Sequence, residues 1–152
     1  MNLPTGNDFF SYFSFIIRLF TNNNMDKLTD ENIKERLNEF DCLLLPTHNK
    51  LSLPLINRIY RKMMHGIKFN DIKVTDTLLL DGHHRYVASL MASIELGTTK
   101  SATTSATVQY NWESIQFVDE EWESKKVIKK FNKKGAKANN VSVDFLRQLT
   151  EN

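Results

Sequence analysis

Residues 77–97 read TLLLDGHHRYVASLMASIELG. The apolar run 78–80 is short, as a buried strand is, and it stops at Asp81-Gly82. From about Arg85 to Leu96, Val87, Leu90, Met91 and Ile94 recur at helical spacing, and Gly97 ends the pattern. A strand therefore runs into a helix across one glycine. Gly82 lets the chain turn where a side chain would clash. The first-turn N–H groups of the helix lack intrahelical partners, and the helix dipole favours an anion beside them. His83, His84 and Arg85 add side-chain donors at the same place. A guanidinium takes phosphate oxygens in bidentate fashion, so the helix start with these three side chains reads as a small anion site, most naturally for phosphate. Asp81 at its edge would repel a bare phosphate, but suits a Mg²⁺ ligand or a base for an attacking hydroxyl. A plainer reading stays open beside this one. Asp-Gly is a common turn, Asp81 can simply cap the helix, and adjacent histidines project in different directions.

Upstream, LTDENIKERLNEF (28–40) predicts a short amphipathic helix capped by Thr29 or Asp30, with Ile33, Leu37 and Phe40 on its apolar face. DCLLLPT (41–47) reads as a buried strand. LSLPLINRIYRKMMHG (51–66) reads as a helix with Ser52 as N-cap, Pro54 in its first turn and Gly66 at its C-terminal end. Arg58, Arg61 and Lys62 lie toward that end, where cations favour the dipole. FNDIKV (69–74) alternates as a half-exposed strand does. Downstream, residues 98–104 read as a polar Ser/Thr loop, 105–110 and 113–119 as strands, and 142–152 as a last helix capped by Ser142. Residues 120–138 are acidic first and then basic, with Trp122, Val127, Ile128 and Phe131 as the expected helix face. Strands and helices interleave without regular spacing, which predicts a small α+β domain with a mixed sheet and flanking helices.

The chain has 152 residues, 41% hydrophobic and 25% charged, which fits one globular domain. Its net charge of +2 excludes no class of partner. The single cysteine, Cys42, rules out an intramolecular disulfide and a cysteine zinc cluster. It opens an apolar run and is expected to be a buried thiol, compatible with a reducing cytoplasm. FFSYFSFIIRLF (9–20) is too short for a membrane span and is interrupted by Arg18. Two readings of it stay open: an amphipathic helix, or translation upstream of a natural start at Met25. The expected domain is therefore 25–152, with 1–24 apart from it.

LLLDGHHRYVASL resembles the signature of the ParB/sulfiredoxin superfamily, in which a strand precedes a Gly–x–x–Arg–x–x–Ala core at a helix start. Here the core is Gly82, His83, His84, Arg85, Tyr86, Val87 and Ala88. The strand, helix and strand upstream follow the same order, and the resemblance covers roughly residues 41–97. It implies a nucleotide-phosphate site at this helix start, with the backbone at Gly82–Arg85 holding phosphates, His84 and Arg85 contacting them, and Ala88 allowing close helix–strand packing. ParB partition proteins bind CTP there, sulfiredoxins and ADP-dependent free-serine kinases use ATP or ADP, and some ParB-like domains are described as nucleases. The expected ligands are thus ATP, ADP or CTP with Mg²⁺. By the same resemblance the loop after the first strand lines the pocket, which makes His48 and Lys50 candidates for the phosphates; a solvated loop is the alternative. His83 stands where sulfiredoxins have their reactive cysteine, so sulfinic-acid repair is not expected. Too little chain follows the motif for the helix-turn-helix region of partition proteins.

KKVIKKFNKKGAKANN (125–140) concentrates the basic charge, and Lys129, Lys130, Lys133 and Lys134 are its candidate nucleic-acid contacts, against the alternative of a solvated face. Two functions from different classes follow. One is an enzyme of phosphoryl or phosphodiester chemistry, with Asp81 as base or metal ligand and His83 as acid/base. The other is a non-catalytic nucleotide- or DNA-binding regulator that uses the same pocket. An interaction protein with a degenerate site is a third.

Overall fold

The computed structural model describes residues 27–150, so the stretch 9–20 and the proposed start at Met25 lie outside the described residues. The first described helix, α1 (Asp30–Leu37), begins on Thr29, whose side chain accepts from Asn32 N–H while Asn32 reaches back to the Thr29 backbone. This capping box satisfies two end donors at once. β1 (Leu45–Pro46) and β2 (Lys50–Ser52) follow, and Ser52 caps α2 (Leu53–Met64) through a 3.3 Å bond from Leu55 N–H. Then come β3 (Ile72–Val74), β4 (Leu78–Asp81), α3 (His83–Ala92) and β5 (Thr98–Lys100). A 3₁₀ turn (Trp112–Ser114), β6 (Gln116–Val118), α4 (Lys125–Asn139) and α5 (Val143–Thr150) complete the order.

The fold is α+β, as the interleaved pattern predicts. Four strands form a mixed sheet in the order β1-β4-β3-β5, in which β4 runs parallel to β1 and antiparallel to β3. β2 and β6 form a separate parallel pair. Leu79, Ile72 and Val74 from the sheet meet Ile56 and Met63 of α2 and Val87, Ala88 and Ala92 of α3 in one core. A smaller cluster of Ile67, Ala136 and Leu146 seats the α4–α5 pair against the chain that leaves α2. Buried Asn57 fastens the start of the described chain, accepting from Leu28 N–H at 2.7 Å and donating to Leu28 O at 3.0 Å.

Several expectations are corrected. Cys42 is exposed, because the chain reaches β1 through irregular backbone that turns Leu43 and Leu44, not the thiol, toward the core. The strand expected over 105–110 is absent; the strand is β5, inside the stretch read as a Ser/Thr loop. Its three residues are all exposed, so nothing in it alternates, and it is held by parallel backbone pairing with β3. The motif helix starts two residues earlier and stops at Ala92, where Ser93 takes the left-handed conformation, φ 53°. The helix after residue 120 begins only at Lys125 and buries Asn132 and Ala136, whereas Trp122 and Phe131 are 45% and 47% exposed. Among the described residues no helix is long and apolar enough to cross a membrane.

Candidate functional site

The joint between β4 and α3 depends on Gly82, which sits at φ 90°, ψ 29°. A Cβ there would lie 2.6 Å from Ile72 Cγ2 and 2.8 Å from Arg85 Nη2. The left-handed backbone alone costs an L-residue about 1–2 kcal/mol. Adding the collision with β3, Gly82→Ala is expected to cost about 3 kcal/mol in urea denaturation. Wild-type stability in that variant would refute the account of the joint. No side chain caps α3, so its first N–H groups stay open.

The two histidines leave this joint in different directions. His83 is 2% exposed, and its Nε2 accepts from Thr47 N–H at 3.0 Å. Thr47 Oγ1 stands 3.2 Å from the same nitrogen and donates to Leu79 O at 2.8 Å. His48 stacks on His83, rings 4.1 Å apart and 8° from parallel. His84 Nε2 accepts from Ser52 N–H at 3.0 Å, and its ring meets Trp122 edge-on at 5.3 Å. The pair thus holds the chain at Thr47, just after β1, and at Ser52, the last residue of β2. Burial pushes His83 down to about 3, with the charges of His48 and His84 adding to it and Asp81 and the Leu79 carbonyl opposing. Burial also pushes His84 down to about 4, helped by His48 and Arg58. Both rings are neutral acceptors at neutral pH, and each backbone donor places the ring proton on Nδ1. The expected acid/base residue His83 is therefore a buried ring with its Nε2 engaged.

Arg85 is also partly committed. Its Nη1 donates to Asn70 O at 2.9 Å and Asp71 O at 3.1 Å, which fixes the entry to β3, and its Nη2 lies 3.6 Å from Asp81 Oδ2. Asp81 is exposed at the rim. No group of three or more His, Cys, Asp or Glu able to hold a metal occurs among the described residues. Asp81 fits Mg²⁺ only as one carboxylate beside phosphate oxygens and water, which is a common Mg²⁺ arrangement.

These residues open onto a cavity of about 500 Å³ that reaches α2 and α4. His48, Asp81, Gly82, His83, His84 and Arg85 all line it. Lys50 does not: it is exposed on β2 opposite Gln116. The far wall was not anticipated. Arg58 and Lys62 of α2, Lys68, and Phe131 and Lys134 of α4 complete it. Arg58 is gripped by Glu121 and by Glu123, the latter at 2.8 Å. Burial pulls the Arg58 pKa down, but these two carboxylates outweigh it and the net shift is upward. One turn on, Lys62 is 8% exposed, and its ammonium makes no hydrogen bond or ion pair among the described residues. Burial, then the nearby Arg58 charge, lowers its pKa, and Glu123 opposes them. Arg58 and Lys62 are one turn apart in the sequence, which was the available signal; it was absorbed by their position near the helix end.

Of the candidate nucleic-acid lysines, Lys134 borders the cavity, while Lys129, Lys130 and Lys133 share an open groove on the adjoining face of α4. The helix carries no acidic residue. Like charges four residues apart, such as Lys126–Lys130 and Lys130–Lys134, cost a helix about 0.2–0.5 kcal/mol each. Comparison of the chain with family models, curated proteins and solved structures finds no match.

Proposed function

We propose that the domain binds a phosphate-bearing ligand, a nucleotide or the end of a nucleic acid, in the cavity at the start of α3. The observation that carries this is Lys62. Its ammonium is buried with no ion pair, and the one carboxylate charge that acts on it, Glu123, is held by Arg58. Burying a charge this way costs several kcal/mol, and an anion in the cavity offsets that cost. The open N–H groups of α3 and the outer edge of Arg85 face the same space. The Gly82–x–x–Arg85–x–x–Ala88 core supports the reading through its resemblance to ParB/sulfiredoxin domains, and buried Ala88 packs α3 into the core.

Binding is favoured over catalysis because His83 and His84 are engaged by the backbone of Thr47 and Ser52. A phosphotransferase or nuclease would rest on Asp81 alone, with Mg²⁺ arriving on the phosphates. Thermal shift with ATP, ADP, CTP and pyrophosphate, each with and without Mg²⁺, tests the proposal. A ligand at about one hundred times its Kd stabilises by about 2.7 kcal/mol. Lys62→Met is expected to abolish the shift while leaving the unliganded protein as stable or more so, because it removes a buried charge and keeps the volume. Absence of any shift in the wild type overturns the reading.

A further inference from the structure

α4 does two things at one place. Its cavity side presents Phe131, Lys134 and Gly135 to the site at α3. Its neighbouring side presents Lys125, Lys126, Lys129, Lys130, Lys133 and Lys134 to one open groove. Lys134 belongs to both, so the lysine face and the cavity adjoin at this residue. No lysine of α4 makes an ion pair among the described residues. A solvated helix face ordinarily mixes signs at four-residue spacing; this one repeats a single sign over nearly three turns. Such a row lacks a polyanion.

Resting on the phosphate reading of the cavity, we infer that α4 is the track of a single-stranded nucleic acid whose terminal phosphate enters the cavity at Lys62 and the start of α3. Phe131, exposed at the cavity wall, offers a ring face to the terminal base, and stacking of this kind tolerates any base. A cavity of about 500 Å³ is of the size that takes one small ligand, which suits a single nucleotide at an unpaired end. A duplex or a flat anionic membrane would meet the lysines but leave the cavity empty. The lysine face also carries no apolar side chain to insert into lipid; the exposed ring of α4 points to the cavity instead.

Fluorescence anisotropy of the full chain with labelled oligothymidylate of about twelve nucleotides tests this, with phosphorylated and hydroxyl ends compared. Six lysines on a single strand predict a log–log salt slope of about −4. Lys126→Gln, Lys130→Gln and Lys133→Gln together are expected to bring it to about −2 and to leave the pyrophosphate thermal shift intact. Lys62→Met is expected to keep the slope and to erase the preference for the phosphorylated end. A slope near zero with an intact pyrophosphate shift overturns the track and spares the cavity. A steep slope with no preference between ends, or with no pyrophosphate shift, overturns the proposed entry of the end. Binding to phosphatidylglycerol vesicles without binding to the oligonucleotide overturns the proposal in favour of a membrane.

Discussion

Lowering the pH from 7 to 5 is expected to remove on the order of 3 kcal/mol of stability, through His83 and His84. Both have folded-state values below the ordinary 6.5, about 3 and about 4, with burial the chief cause in each case. The neutral ring is therefore the form the fold prefers. Above pH 6.5 both states carry neutral rings and the full contribution is present. As the pH falls below 6.5 the unfolded chain takes up two protons that the folded chain refuses, and stability declines with pH. Each site contributes about 1.4 kcal/mol per pH unit in that window, or about 4 kcal/mol for both at pH 5. Solvent reaches His84 and screens part of its share, which brings the total down to about 3 kcal/mol. Urea denaturation followed by circular dichroism at pH 7, 6 and 5 measures this directly. Glutamine at both positions retains a side-chain acceptor for Thr47 and Ser52 but does not titrate, so the double variant His83→Gln/His84→Gln should lose most of the slope. The Arg58–Glu121 pair does not confuse the test. Arg58 holds the Glu121 carboxyl below its usual range, so its contribution is lost only at still lower pH. A wild-type stability that is flat from pH 7 to pH 5 would contradict the neutral, backbone-bound assignment of both rings.

The same rings show where sequence and structure part company. The joint at Gly82 is local: a strand ends, a glycine turns, and a helix starts within six residues, so its position can be read along the chain. The partners of His83 and His84 are not local, lying 36 and 32 residues upstream. A reader of the sequence sees four titratable groups together and assigns chemistry. The fold assigns two of them to splint a loop. Lys62 reverses this. On a helix map it is one cation among three near the C-terminal end, and its meaning appears only when Arg58 beside it is taken by Glu121 and Glu123, 63 and 65 residues away. Phe131 and Trp122 fit a buried helical stripe by spacing, yet Trp122 precedes the helix and Phe131 faces a cavity. Edge strand β5 has no alternation to detect, because neither of its faces is covered. Periodicity reports burial, and the features missed here are those whose apolar or charged groups serve an opening rather than the core.

Arg58→Leu is expected to destabilise the protein by about 3 kcal/mol, the lower end of the range for breaking a buried pair. The guanidinium is nearly buried and holds two carboxylates at once, and these are more exposed than it is. Without it, Glu121 and Glu123 lose the cation that pairs them and only the unpaired charge of Lys62 acts on Glu123, although water screens part of the repulsion. If the loss comes from those stranded charges, removing them should restore stability. The triple variant Arg58→Leu/Glu121→Gln/Glu123→Gln is expected to regain at least half of what the single change loses, because a neutral cluster carries no desolvation debt. Chemical denaturation of the three proteins measures both steps, and a triple variant no more stable than Arg58→Leu would contradict the stranded-charge account. The segment 119–124 that these glutamates anchor also carries Trp122 against His84 and ends in Ser124, whose hydroxyl accepts from Val127 N–H at 3.3 Å to cap α4. Loosening it moves Glu123 at the cavity wall and the cap on which α4 starts. The single variant should therefore bind pyrophosphate more weakly than the wild type even where it is fully folded, and the triple variant, which restores the charge balance but not the grip of Arg58 on the segment, should recover stability without recovering that affinity.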